Sequence, residues 1–93
     1  MKRKKDNYPK SHEEEIGKAF WARVNIKEGE ACWNWTGHVA RDGYGRFYFE
    51  GKVYITHRLA YVLEHGEAIS RNILVIQTCK NKKCCNPSHF EIS

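Results

Sequence analysis

Two cysteines and a histidine near the end of the chain constrain most strongly what it can fold into. Cys79 and Cys84 are separated by four residues. His89 lies five residues beyond Cys84 and follows Pro87, whose fixed φ makes a stiff turn. Thiolate and imidazole groups at this spacing are typical zinc ligands, because a loop of this length can fold back on one ion. The spacing therefore predicts a zinc loop.

A tetrahedral zinc site needs a fourth ligand from elsewhere in the chain. Cys32 is the leading candidate, because it would tie the front half of the domain to the back. Cys85 is the alternative, although adjacent cysteines rarely both reach one ion and a reduced cysteine also packs well in a core. A further alternative is that the thiols bind no metal. A site whose four positions are all filled by protein is closed, which indicates a structural zinc without a catalytic role.

The length and charge of the chain favour a small basic domain. Its 93 residues carry a formal net charge of +5 at pH 7, which favours an anionic partner, nucleic acid first. No apolar run reaches the roughly 18–20 residues of a membrane span, and the basic start leads into no apolar stretch typical of a secretory signal. We therefore predict a cytoplasmic protein with reduced thiols and without a membrane partner.

The chain divides into a predicted flexible basic arm, residues 1–10, and a single zinc-stabilised domain, residues 11–93. Ser11 and Glu14 have the form of a capping box at a helix start. Apolar residues then recur at helical spacing, which predicts an amphipathic helix over residues 12–24.

Strand patterns occupy the middle of the chain. Residues 32–35 predict a short strand with both indoles on one face. Residues 44–49 and 52–55 are rich in strand-forming side chains and flank a glycine-containing turn, which is typical of a β-hairpin. Residues 73–76 predict a short buried strand that leads directly into the zinc loop.

A second helix is predicted between the hairpin and the last strand. Thr56 is expected to cap a helix over residues 57–64, and Gly66 to end it. His57 at its start is expected to be a hydrogen-bonded structural residue, with metal ligation as the alternative. The order helix, strand, hairpin, helix, strand and metal loop predicts an α+β domain.

Several separate segments resemble one family in the same order and spacing. Leu74-Val-Ile-Gln-Thr-Cys79 and Cys84-Cys-Asn-Pro-Ser-His89-Phe90 resemble the zinc loop of His-Cys box homing endonucleases and of the zinc-bearing HNH endonucleases common in phages. The upstream segments that resemble the same phage HNH family are Cys32-Trp-Asn-Trp-Thr-Gly37, Asp42-Gly-Tyr-Gly45 and His57-Arg-Leu-Ala-Tyr61. The resemblance covers about residues 20–90.

The resemblance implies a ββα-metal (His-Me finger) fold, and it assigns zinc to Cys32, Cys79, Cys84 and His89. Members of the family are DNA endonucleases that use one Mg²⁺-like ion. A histidine at the end of a strand deprotonates water, and an asparagine or histidine on the following helix holds the catalytic ion. Members often pair into dimers, so a homodimer is a possible state. A phage or mobile-element origin would place the protein in the host cytosol.

The chain departs from the family pattern at the catalytic positions. Gln77 stands at the position of the general-base histidine, and a glutamine amide can orient a water but cannot take its proton. General-base assistance is worth about 10²–10⁴-fold in rate. Ile76 replaces a metal ligand of some relatives, and an end at Ser93 leaves no room for the ligand-bearing helix. These departures favour a protein without catalysis, in which Mg²⁺ would be bound only if some activity remains.

Basic residues remain around the hairpin and in the metal loop. The candidate nucleic-acid-binding residues are Arg41, Arg46, Lys52, Arg58, Lys80, Lys82 and Lys83. A twisted two-stranded ribbon fits the major groove of DNA, and the loop lysines lie beside the former active site, where a phosphate would bind. The alternative is that the hairpin aromatics pack in the core and the lysines form a solvated rim.

Taken together, these features predict a catalytically inactive, HNH-endonuclease-like DNA-binding protein of phage or mobile-element origin. One alternative is a residual DNA-nicking endonuclease in which Gln77 positions water. The other is a phage inhibitor that uses a nuclease scaffold to bind a host protein.

Overall fold

The described part of the chain, residues 13–66 and 69–93 of a computed structural model, combines two α-helices with three short antiparallel strand pairs. In chain order the elements are α1 (Glu13–Trp21), β1 (Val24–Asn25), β2 (Asn34–Trp35), β3 (Arg46–Phe49), β4 (Lys52–Ile55), α2 (Thr56–His65), β5 (Val75–Gln77), a short 3-10 helix (Pro87–His89) and β6 (Phe90–Ile92). The pairs are β1–β2, β3–β4 and β5–β6. This arrangement confirms the predicted mixture of helix and antiparallel sheet. Neither described helix is long and apolar enough to cross a membrane.

Helix α1 packs its apolar face into the core but ends earlier than predicted. Ile16 and Phe20, one helical turn apart, are completely buried. The predicted helix over residues 12–24 is wrong at its C-terminal end, because Val24 pairs with Trp35 in the β1–β2 sheet. A β-branched valine suits a strand better than a helix. The predicted arm and the capping serine lie outside the described residues.

The two tryptophans of the segment between residues 31 and 35, here called the tryptophan segment, both contact the core. The Trp35 ring stacks on Phe20 with centroids 5.3 Å apart and meets Phe47 edge-on at 5.6 Å. The Trp33 ring meets Trp21 edge-on at 6.1 Å. Aromatic pairs in these geometries contribute about 0.5–1.5 kcal/mol each beyond their buried area. The tryptophan segment is therefore central to the core.

The predicted hairpin is confirmed as β3 and β4. Glu50 and Gly51 form its turn, with φ values of 47° and 78°. A two-residue turn with positive φ at both positions matches the twist of the flanking strands. Phe47 and Tyr54 are opposite one another and face the core.

Helix α2 confirms the predicted stop but not the predicted cap. Gly66 ends the helix in the left-handed conformation, with φ 76°, and its N–H donates to the Val62 carbonyl. Thr56 lies within the helix and is buried, whereas Ile55 occupies the N-cap position without a side-chain cap. The prediction that Thr56 caps the helix is therefore wrong.

Strand β5 is half-exposed, contrary to the predicted buried strand over residues 73–76. It spans Val75–Gln77 and pairs with β6, a strand that the sequence analysis did not predict. Val75 and Gln77 are buried, whereas Leu74 and Ile76 are 57% and 41% exposed. Because side chains alternate along a strand, one face of β5 is buried and the other is open to solvent.

We expect Gly45→Ala to destabilise the protein by about 1–3 kcal/mol. A Cβ at this position would lie 2.5 Å from the Thr56 hydroxyl oxygen and 2.5 Å from the Trp35 ring. Gly17→Ala is the matched control, because nothing lies within 4 Å of its Cβ position in α1. It should stabilise the helix by roughly 0.5–1 kcal/mol. Urea denaturation measures both changes, and equal effects would contradict the close packing around Gly45.

Candidate metal centre

Three cysteines and one histidine converge at one side of the molecule. The ligand atoms of Cys32, Cys79, Cys84 and His89 all lie within 4.8 Å of one another. Cys84 is completely buried, Cys32 and His89 are half-buried, and Cys79 is exposed. The structure thus brings together the set that the resemblance assigned to zinc, and it brings Cys32 rather than Cys85 to the other three.

The spacing of the donor atoms fits a tetrahedral zinc ion. Zinc bonds of about 2.3 Å to sulfur and about 2.0–2.1 Å to nitrogen place neighbouring sulfur and nitrogen ligands about 3.6 Å apart. The His89 Nδ1 atom lies 3.7 Å from the Cys32 sulfur and 3.4 Å from the Cys84 sulfur. Thiolates with imidazole are also the donor set that zinc prefers. With all four positions supplied by protein, a bound zinc would stabilise the fold.

The segment from Cys79 to His89, here called the metal loop, begins with a tight reversal of the chain that positions Cys79 and Cys84. Lys80 adopts a left-handed conformation with φ 63°, and its N–H donates to the Gln77 carbonyl at 3.0 Å. Further along the loop, the Cys84 N–H donates to the Asn81 carbonyl at 3.0 Å. These local hydrogen bonds return the chain so that both thiols face the same point.

The short 3-10 helix positions His89. The Asn86 side-chain oxygen accepts hydrogen bonds from the Ser88 N–H and the Ser88 hydroxyl, at 3.0 and 2.8 Å. Pro87 opens the helix with its fixed φ. The His89 N–H then donates to the Asn86 carbonyl at 2.9 Å. The predicted stiff turn is therefore a capped helical turn that aims the imidazole at the thiols.

A seam of hydrogen bonds brings Cys32 to the loop. The Trp35 N–H donates to the Lys83 carbonyl at 2.8 Å, and the Cys85 N–H donates to the Trp33 carbonyl at 2.7 Å. The Asn86 side-chain amide donates to the Ala31 carbonyl at 2.9 Å. Two of these three bonds, Cys85 to Trp33 and Asn86 to Ala31, join residues that are more than fifty positions apart in the chain. We call this contact between the tryptophan segment and the metal loop the seam.

Cys85 belongs to the core and not to the metal group. Its side chain is completely buried and packs in the core cluster with Trp35 and Phe47. Burial raises the pKa of the Cys85 thiol to about 12, so it stays neutral at pH 7.

Among the candidate ligands, burial likewise raises the pKa of the Cys84 thiol to about 12. A cation at the centre of the group would therefore have to displace the Cys84 proton.

Gln77 holds the metal loop. Its side-chain Nε2 donates to the Lys82 carbonyl at 2.9 Å and to the Cys84 carbonyl at 3.0 Å. The side chain is only 8% exposed. Both amide hydrogens thus bind the loop that carries the thiols. The sequence did not reveal this role, because main-chain carbonyls exist at every position and only the fold decides which ones meet the amide.

A cleft of about 730 Å³ adjoins the metal loop, between the hairpin and β5. His57 lines it and is 8% exposed, and its Nδ1 makes no hydrogen bond within the described residues. Burial, followed by the charge of Arg58, lowers the pKa of His57 to about 4. The ring is therefore neutral at pH 7. His57 lies outside the Cys/His group, so its metal-ligand alternative finds no support.

Only some of the predicted nucleic-acid-binding residues line the cleft. Arg58, Lys80 and Lys82 line the cleft, together with Arg71, which the sequence analysis did not single out. The exposed residues Arg41, Lys52 and Lys83 lie outside the cleft lining. In the sequence, only the positive charge of Arg71 indicated a role in binding. The fold alone brings it to the same cleft as Lys80 and Lys82.

Two of the predicted arginines have structural contacts. The Arg46 guanidinium donates to the Asp42 carboxylate at 2.7 Å. The Arg58 guanidinium donates to the main-chain carbonyls of Ser70 and Ile73, which ties α2 to the segment before β5. These contacts occupy some of the guanidinium N–H groups that were expected to bind phosphates.

Comparisons with known proteins point to phages. The chain is similar to Protein 7.7 of Escherichia phage T7, with 36% identity over 63 residues, covering 68% of this chain and 48% of that protein. It is also similar to Protein 2.8 of the same phage, with 35% identity over 80 residues, covering 84% of this chain and 52% of that protein. The chain spans about half the length of these curated relatives. No protein-family model and no solved structure matches it. The similarities support the predicted phage origin.

We expect Cys32→Ala to abolish stoichiometric zinc binding, because it removes the ligand supplied by the tryptophan segment. Structural zinc sites supply free energy of folding, so this variant should also unfold at a lower temperature. Cys85→Ala is the matched control and should retain zinc. Elemental analysis after gel filtration measures the metal content. Full zinc content in Cys32→Ala, or its loss in Cys85→Ala alone, would contradict the assigned ligand set.

Replacing Gln77 with leucine should lower the free energy of unfolding by about 1–3 kcal/mol, because the Lys82 and Cys84 carbonyls lose their donor. The neighbouring change Ile76→Ala serves as the control, since surface substitutions usually stay within about 0.5 kcal/mol. Urea denaturation with saturating zinc compares the two variants. Equal stabilities would show that the Gln77 amide does not hold the loop.

Proposed function

We propose that this chain is a zinc-stabilised, catalytically inactive DNA-binding domain on an HNH-like, ββα-metal scaffold. In this proposal β5, the metal loop and β6 correspond to the strands and zinc loop of that family. The observation that carries it is the side chain at the end of β5. Gln77 stands where the family has its general base, and its amide donates to two carbonyls of the metal loop.

The side chains around the cleft support the absence of catalysis. Glutamine is not basic near neutral pH, and Ile76 offers no electron pair to a cation. The Nδ1 atom of His57 is buried. Asp42 also lines the cleft, but its carboxylate is bound by Arg46, whose hydrogen bond holds the pKa of Asp42 below its usual value. The proton acceptors among the described lining residues are thus an enclosed imidazole nitrogen and a carboxylate whose two oxygens already accept hydrogen bonds, and neither is well placed to activate water.

Positive charge beside the metal loop supports DNA as the partner. Arg71, Lys80 and Lys82 are exposed and line the same cleft. The chain as a whole carries a net charge of +5. Lysine and arginine side chains bind phosphates and release counterions, so such a surface binds nucleic acid with a strong dependence on salt.

The outward face of the hairpin favours a second candidate, a protein-binding module such as an inhibitor of a host factor. Tyr48 and Val53 form a cross-strand pair and are 63% and 55% exposed. Ile55, on the same face, is 37% exposed. A ribbon that reads a DNA groove needs polar or basic groups toward the bases. Arg46, opposite Ile55, is the basic residue of this face, and the exposed Tyr48 and Val53 beside it are better suited to contact with another protein.

Purified, zinc-loaded protein should bind DNA with an affinity that falls steeply as salt increases, and it should not cleave plasmid DNA with Mg²⁺ or Mn²⁺. Fluorescence anisotropy across a salt series and gel analysis of supercoiled plasmid measure the two properties. Lys82→Gln should weaken binding and reduce the slope against salt, since each lost phosphate contact changes it by about 0.7–0.9.

Two results would contradict this proposal. Failure to bind DNA at any salt concentration, combined with recovery of a stoichiometric host protein, would favour the protein-binding module. Plasmid nicking that disappears in Gln77→Ala would favour a residual endonuclease. A zinc-loaded Cys85→Ala variant controls for effects of altered stability.

A further inference from the structure

The lining of the cleft beside the metal loop combines two kinds of exposed side chain. Ile55, Leu74 and Ile76 contribute exposed aliphatic groups, and they are 37%, 57% and 41% exposed. Arg71, Lys80 and Lys82 contribute cationic groups along the same lining. A site that binds only a phosphate does not need these aliphatic side chains, here called the aliphatic wall. A ligand that fills this cleft should therefore join an apolar body to an anion.

The remaining polar groups of the cleft do not cancel this cationic character. The Asp42 carboxylate is already bound by the Arg46 guanidinium at 2.7 Å. Lys82 is held at the edge of the cleft, where its Nζ donates to the Asp42 carbonyl at 2.9 Å and lies 5.2 Å from the centre of the Tyr44 ring. His57 is buried and carries no charge at pH 7. An anion in the cleft would therefore meet the side chains of Arg71, Lys80 and Lys82, while the lining carboxylate of Asp42 is already bound.

We propose that this cleft binds one unstacked nucleotide of single-stranded or locally opened DNA, with the base on the aliphatic wall and the flanking phosphates on the cationic edge. This inference rests on the proposed DNA-binding function and specifies the state of the DNA. A volume of about 730 Å³ lies within the roughly 300–1,000 Å³ of small-ligand sites. A base inside a duplex is stacked on both faces and cannot reach such a wall.

Three nucleic acids with equal numbers of phosphates separate base binding from phosphate binding. The zinc-loaded protein is titrated against a labelled oligothymidine, the same strand with abasic positions, and a duplex of half that length, whose two strands together carry as many phosphates. We expect the oligothymidine to bind roughly three- to tenfold more tightly than the abasic strand, because only the former offers a base to the cleft. Equal affinity for the two strands would overturn the inference.

Matched variants then test each side of the cleft. Leu74→Ser should weaken binding of the oligothymidine but leave the abasic strand and the salt dependence unchanged. Val53→Ser is its control, because Val53 has a similar exposed fraction, 55% against 57%, but lies outside the cleft lining. Ile76→Ser provides a second test of the wall if Leu74→Ser does not fold. Equal losses in Val53→Ser and Leu74→Ser would place the base elsewhere.

The cationic residues of the cleft are tested by two neighbouring lysine variants. Lys82→Gln should weaken both strands and lower the slope against salt by about 0.7. Lys83→Gln changes the next residue of the loop, which is outside the cleft lining, and should have a smaller effect. A reversed order of the two lysine variants would overturn the assigned edge.

The outcomes distinguish this inference from the proposal on which it rests. Duplex binding as tight as oligothymidine binding would keep the DNA-binding function and reject the unstacked nucleotide. Failure to bind any of the three nucleic acids would reject both. Competition by poly-glutamate as effective as that by oligothymidine would show a general preference for anionic chains and would also reject the nucleotide site.

Discussion

The seam between the tryptophan segment and the metal loop is the contact on which the rest of the structure depends. Its main-chain hydrogen bonds place Cys32 beside three donors that lie far along the chain. The seam uses N–H and C=O groups and none of the four candidate ligand atoms. A bound zinc ion would therefore add a second connection between the same two segments.

The same seam sets the position of the core and the cleft. Trp35 donates to the Lys83 carbonyl through its main chain, while its ring packs between α1 and the hairpin through Phe20 and Phe47. Lys82, beside that carbonyl, reaches the Asp42 carbonyl before the hairpin. Metal loop, hairpin and α1 are therefore held in one network, and the cleft is the space left between the hairpin and β5.

Gln77 shows how a single side-chain atom can hold a loop. A carboxamide nitrogen carries two hydrogens, and here each binds a carbonyl of the metal loop. A neutral imidazole nitrogen carries at most one hydrogen, so a histidine at this position could not make both contacts from one atom. In this fold, the two loop contacts thus depend on an amide at position 77.

By itself, the sequence determined those features that depend on neighbouring residues. Local backbone preference predicts the Glu50-Gly51 turn and the Gly66 stop. Helical periodicity predicts the buried pair Ile16 and Phe20, and ligand chemistry predicts the donor types of the metal loop. The residues themselves favoured Cys32 over Cys85 as the fourth ligand, and the resemblance assigned the same residue.

Only the tertiary structure decided the features that depend on distant partners. Val24 leaves the helix because Trp35 is available for pairing. Strand β5 is half-exposed because the described chain covers one of its faces and leaves the other open, and Arg71 joins the loop lysines because all three line the same cleft. Local propensities differ by less than about 1 kcal/mol per residue, so long-range pairing and burial override them. For that reason, the ligand types could be identified from the sequence, whereas the cleft beside them could not.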